Sequence, residues 1–148
     1  MREIMFKGKT IKEGNWIEGS LIIDEKGNYY IGKYIESKGD CSYYCTNRRN
    51  GKTLNRFIGI GFAMVDKDTV CEYTQLKDKN GNRIWENDIV TAHFKSNRTK
   101  QTFRVIFDCG MFLFDNGCIK VNSWDIFSLE VVGNSIDNHE FLTAERSE

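Results

Sequence analysis

Proline is absent from all 148 residues, so Gly, Asn and Asp must end every element and no turn rests on a fixed pyrrolidine ring. Histidine occurs only twice, at His93 and His139, which leaves little material for imidazole metal sites or proton relays. No apolar run approaches the roughly 20 residues of a membrane-spanning helix. The segment from Met1 to Lys12 is charged and alternating, without the apolar stretch and small-residue cleavage site of a signal peptide, so the expected location is the cytoplasm. Five cysteines, Cys41, Cys45, Cys71, Cys109 and Cys118, cannot all pair within one chain and lack scaffold-like regularity, which predicts reduced thiols. The sequon Asn97-Arg98-Thr99 carries no weight in a chain that is not secreted.

Lys and Arg number 21 and Asp and Glu 21, so the uniformly basic surface that favours non-specific nucleic-acid binding is missing. The charges are nonetheless segregated. Between Cys41 and Val65 stand Arg48, Arg49, Lys52 and Arg56 with no acid, and between Ile89 and Phe107 stand Lys95, Arg98, Lys100 and Arg104, again with none. From Asp125 to Glu148 the acids Asp125, Glu130, Asp137, Glu140, Glu145 and Glu148 face only Arg146. Such asymmetry can steer a partner.

What is present is a globular composition, 40% hydrophobic and 13% aromatic, in which apolar residues recur mostly with period two. That period predicts strands with one wet face and few short helices. Trp16 to Ile23, then Asp24-Glu25-Lys26-Gly27-Asn28, then Tyr29 to Ile35 read as a hairpin. Phe57 to Val65, spaced by Gly59 and Gly61, reads as a buried strand in which glycine marks a bulge or close backbone approach, with a short helix as the competing reading. Asp78-Lys79-Asn80-Gly81 predicts a tight hairpin, after which Trp85 packs inward and Asp88 starts a new strand. Thr91 to Phe94, Thr102 to Phe107, Met111 to Phe114, Cys118 to Val121 and Leu129 to Val132 follow as short strands, a spacing that suggests a small barrel. Trp16 and Trp85 are expected in the core. The coarse division is residues 1–65 and 66–148 within one compact unit, without internal repeats.

No catalytic or cofactor motif in the chain is complete. Asn50-Gly51-Lys52-Thr53 ends like a phosphate-binding loop, but the first glycine should fall at Thr46. Gly59-Ile60-Gly61 lacks the third glycine of a dinucleotide site. His139-Glu140 begins like a zinc-protease helix, yet position 143 is Thr. The offset between Cys41 and Cys45 is not zinc-knuckle spacing, and buried small hydrophobes are the plainer reading. No carboxylate sits where an acid of raised pKa is expected. Asp88, beside Trp85, reads as a turn carboxylate accepting backbone N–H bonds. These readings predict no catalytic residue, no metal, no cofactor and no enzyme activity.

Arg2 to Lys9 and Gly14-Asn15-Trp16-Ile17-Glu18-Gly19-Ser20-Leu21 resemble the opening of the YopX family of phage and prophage proteins. The string Thr69 to Gly81, followed by Ile84-Trp85-Glu86-Asn87-Asp88-Ile89-Val90, is similar to that family's most recognisable block, and Val131 to Ile136 resembles its closing segment. The chain departs from the family at Gln75 and Asn87, where glycine is usual, and near His139, where proline is. The resemblance implies an α+β amino-terminal part joined to a small SH3-like β-barrel, and a home in a phage or mobile element. It implies no established activity and carries over no catalytic residues.

Together these readings favour a phage accessory protein that binds a host or phage protein, inhibition of a defence system included, within the bacterial cytoplasm. Tyr43, Tyr44, Arg48, Arg49, Lys52 and Arg56 form the expected contact loop, bases and rings around an Asn-Gly turn without a neutralising acid. The alternative is a nucleic-acid-binding module in which the same residues, with Phe57, hold phosphates and stack bases. A homo-oligomer is compatible with either.

Overall fold

The computed structural model describes residues 1–34, 60–96 and 99–138, with only the backbone of Lys33, Tyr34 and Ile60. The chain is mainly β, built from antiparallel strands and two single-turn 3-10 segments among the described residues. No helix among those residues is long and apolar enough to cross a membrane. Contacts divide the chain into two units, Met5–Val70 and Met1–Ile4 with Cys71–Glu148.

The first unit contains β1 (Phe6–Lys9), β2 (Trp16–Ile23), β3 (Tyr29–Tyr34) and β4 (Ile60–Val65), in the spatial order β4-β3-β2-β1. Its outer strands meet at one end. Thr10 bridges Val65, Ile11 donates its N–H to Met64 O at 3.1 Å, and Asp66 donates to Lys9 O at 2.9 Å. This closure rolls the sheet around Ile31 and Val65, which are 0% and 2% exposed. Room for the roll comes from glycine: a Cβ on Gly8 would lie 3.0 Å from Ile31 Cδ1. A 3-10 turn, Lys67–Thr69, follows β4, capped by the Asp66 side chain accepting from Asp68 N.

Nothing α-helical occurs among the described residues of this unit, so the α+β expectation for the amino-terminal part is not met. The period-two pattern of Trp16 to Ile23 and Tyr29 to Tyr34 pairs directly as strands. Ile60–Val65 is likewise a strand and not the competing helix. Trp16 is a second correction. It is half-buried at the start of β2, and the ammonium groups of Lys7 and Lys9 lie 5.0 Å and 5.4 Å from its ring centroid, a cation–π arrangement that keeps one face polar.

In the second unit β5 (Cys71–Lys77) and β6 (Arg83–Trp85) form a hairpin. Next come β7 (Asp88–Phe94), β8 (Lys100–Asp108), β9 (Met111–Asp115), β10 (Lys120–Val121) and β11 (Ile126–Asn134). These five make an antiparallel sheet in the order β10-β9-β8-β7-β11. No closed barrel is formed among the described residues. Alternation puts Val90, Ala92, Phe94, Phe103, Val105 and Phe114 on one face, where they pack with Ile84, Ile126 and Leu129. Cross-strand pairing explains the grouping, because Val90 faces Phe103 and Val105 faces Phe114. Asp88 accepts the Trp85 N–H at 2.8 Å, as its place at a strand entry predicts.

The two hairpin turns share one construction. In Asp24-Glu25-Lys26-Gly27-Asn28 and in Asp78-Lys79-Asn80-Gly81-Asn82, the Asp carboxylate accepts the N–H groups two and four residues on and the side-chain amide of the Asn. The glycine of each takes positive φ, 79° and 84°. Asp78 does more than its counterpart. It also accepts Val131 N at 3.2 Å, while Lys79 N donates to Leu129 O at 2.9 Å, so this turn covers the outer edge of β11.

Burial pushes the Asp78 carboxyl up, but hydrogen bonds from Asn82, Val131 and Asn80 outweigh burial and hold it below its ordinary 3.8. A depressed carboxyl stabilises the fold above its ordinary pKa, and the contribution is lost as pH falls through the folded value. Asp78→Ala is therefore expected to cost about 1–3 kcal/mol at neutral pH. Urea denaturation at neutral and acid pH should show the gap to wild type shrinking toward acid; a gap independent of pH would disprove the assignment.

Candidate functional site

The expected contact loop, with Tyr43, Tyr44, Arg48, Arg49, Lys52 and Arg56, lies outside the described residues, as do Phe57 and His139. Of the second basic stretch, Lys95, Lys100 and Arg104 are described. They do not act together. Arg104 is drawn into the fold, its Nε and Nη2 donating to Asn87 Oδ1 at 3.2 Å and 2.6 Å.

Lys95 and Lys100 instead border a surface that sequence reasoning missed. After β10, Asn122 caps the 3-10 turn Ser123–Asp125 by accepting Trp124 N at 3.0 Å. Lys95, just beyond β7, pins that turn twice: its N–H donates to Asp125 O at 3.0 Å and its Nζ to Trp124 O at 2.8 Å. The backbone of the turn is thus held from both sides while the Trp124 side chain stays 80% exposed.

Phe127 is brought to the surface by a different device. In the β11–β7 ladder Ile126 pairs with Phe94 and Ser128 with His93, leaving Phe127 as the extra residue of a bulge. A bulge re-aims one side chain without ending the strand. Ile126 is accordingly buried and Phe127 77% exposed. A cleft of about 440 Å³ opens here, lined by His93, Phe94, Lys95 and Phe127. Behind it the cross-strand row Lys100, His93, Ser128 runs over the sheet. Glu130 is engaged by Lys79 Nζ at 2.7 Å, and that bond holds its carboxyl below the ordinary value.

The arrangement offers Phe127 and Lys95 on an apolar cleft, with Trp124 exposed on the turn that Lys95 holds and Lys100 across the ladder from His93. That is equipment for binding. Solvating a Trp and a Phe wastes hydrophobic stabilisation, whereas aromatic residues dominate the energetics of macromolecular contacts. A roomier cleft, about 560 Å³, lies in the first unit beside Lys9, Ile11, Tyr29, Met64 and Asp66. Its polar groups serve the fold: Thr69 Oγ1 accepts Lys9 N and donates to Asp66 O, and Asp66 caps a turn.

The polar centre of the second unit is likewise structural. Asn87 at φ 68° donates to Val105 O, accepts from Ser135 N and Arg104, and donates to Cys71 Sγ at 3.6 Å. Gln75 holds φ 73° and clasps the Glu3 backbone through its side-chain amide. Glu86, contrary to the expectation that no carboxyl is raised, sits above its ordinary 4.5, chiefly through burial and secondarily through the charge of Glu72. No local pattern announces this, because β5 brings Glu72 alongside only in the fold. Cys71 is buried, and Cys109 and Cys118 are exposed. No group of three or more His, Cys, Asp or Glu positioned for a metal occurs among the described residues.

Fold and surface together define an antiparallel β protein that presents an aromatic ledge on a bulged edge strand. The chain belongs to the YopX family: the model described as YopX protein matches residues 6–143. The crystal structure of protein EF1440 from Enterococcus faecalis is similar in fold, at 18% sequence identity and a TM-score of 0.52, over 96% of this chain and 99% of that one. No curated protein matches the sequence.

Proposed function

We propose that this protein is a phage-associated binding protein without catalytic apparatus, acting in the bacterial cytoplasm on a host or phage protein. Components of host defence machinery are among the partners it would engage. The observation that carries the reading is the pair Trp124 and Phe127, 80% and 77% exposed, Phe127 lining an apolar cleft and Trp124 on the turn held by Lys95 of the same cleft. Balanced charge, 21 bases against 21 acids, supports a protein partner over a phosphate track. The five short strands of the second unit and their bulged edge are consistent with an SH3-like sheet, which is part of the same proposal. A second reading keeps the ledge and changes the ligand: Trp124 and Phe127 stack bases while Lys95 and Lys100 hold phosphates.

Capture from host lysate, with and without nuclease, separates the two. A protein partner should survive nuclease and be lost on combined Trp124→Ala and Phe127→Ala, while each exposed substitution changes stability by no more than about 0.5 kcal/mol. Recovery of nucleic acid alone would select the second reading. Undiminished capture of a protein by the double variant would remove the ledge from the function.

A further inference from the structure

We infer that the ledge receives an acidic protein segment carrying one large apolar side chain, an inference that rests on the ledge being the contact surface. The cleft between Phe94 and Phe127 supplies the apolar half. Its volume, about 440 Å³, lies in the range that accepts a compact organic group, and three of its four lining side chains carry rings. An aliphatic or aromatic anchor from the partner fits that chemistry, with Trp124 exposed on the 3-10 turn that the cleft residue Lys95 pins.

The acidic half follows from the rim. Lys95 is exposed and lines the cleft, and Lys100, also exposed, pairs across the ladder with His93, a second lining residue. The Lys95 bond to Trp124 O uses one of the three protons of an ammonium group. Glu130 on β11 is engaged by Lys79 at 2.7 Å and also feels the charge of Lys100, and Asp125 is exposed beside the ledge. Lys79, Lys95 and Lys100 against Glu130 and Asp125 leave one positive charge over, which matches a carboxylate on a peptide. They do not make a phosphate track, which needs a longer line of bases and no acid within it. Preorganisation is built in, because Asn122 and Lys95 fix the turn before any partner arrives.

The test uses the full chain and fluorescence anisotropy with three labelled probes: a short Glu-rich peptide with a central Leu or Trp, the same peptide with Lys replacing Glu, and oligothymidine. The acidic peptide should bind saturably and more weakly as salt rises, and the basic one should not. Phe127→Ala and Lys100→Glu should each weaken it by about tenfold or more with unchanged circular dichroism. Equal binding of acidic and basic peptides would overturn the charge assignment. Tighter binding of oligothymidine would overturn the protein segment in favour of nucleic acid while leaving the ledge in place. Should no probe bind while lysate capture still depends on Trp124, the partner chemistry fails and the contact surface stands. Loss of that dependence as well would remove both.

Discussion

Gly32→Ala is expected to leave the amino-terminal sheet unable to form. A Cβ at position 32 would lie 2.1 Å from Gly61 O and 2.6 Å from Phe62 Cα, both backbone atoms of the neighbouring strand. No rotamer relieves a clash with main chain, so β3 and β4 must separate, and with them goes the packing of Ile31 and Val65. The loss should exceed about 4 kcal/mol, beyond what most single substitutions cause and a large share of the roughly 5–15 kcal/mol available to a domain. Thermal unfolding followed by circular dichroism is the check. A variant melting cooperatively within a few degrees of wild type would show that the strands are not in such close approach.

Trp85→Ala is the second large effect. Trp85 is 4% exposed, packs against Tyr73 with the rings tilted by 50° and their centroids 5.4 Å apart, and fixes the end of the β5–β6 hairpin next to Asp88. Truncating a buried aromatic to alanine costs about 3–5 kcal/mol, equivalent to roughly 10–20 °C in melting temperature for a chain of this size. Trp124→Ala removes the same atoms from an exposed position and should shift melting little. Equal effects at the two positions would contradict the burial pattern.

The contrast between these tryptophans shows how far the sequence could be read. Period two and the Asp-x-x-Gly-Asn turns made both hairpins legible, because in each the same residues supply the carboxylate, the positive φ and the closing amide. The turn around Asn87 was legible as well: the family's usual glycine marks a left-handed backbone, and Asn adopts it here. Gln75 keeps the same backbone at greater steric cost, with its side chain holding Glu3, a contact that joins positions 72 residues apart. Trp16 misled because alternation alone points it inward, while Lys7 and Lys9 reach over its ring only once β1 pairs with β2.

The ledge was missed for a physical reason. Period-two reasoning assigns faces only within an uninterrupted strand, and the bulge at Phe127 inserts a residue into β11. A trace of it was present: Ile126, Leu129 and Val131 are spaced by three and then two, and three is incompatible with a single face unless one residue is extra. Trp124 lies in a 3-10 turn whose cap, Asn122, looks like any loop asparagine.

The most direct test of the central claim is site-specific photocrosslinking in host cells, with a photoreactive amino acid placed in turn at Trp124, at Phe127, at Arg49 and at Glu25. The account predicts that positions 124 and 127 trap the same protein, and that position 25, on the hairpin turn of the other unit, traps none. Crosslinks confined to position 49, with positions 124 and 127 silent in a folded protein, would contradict it and move the contact surface to the basic loop.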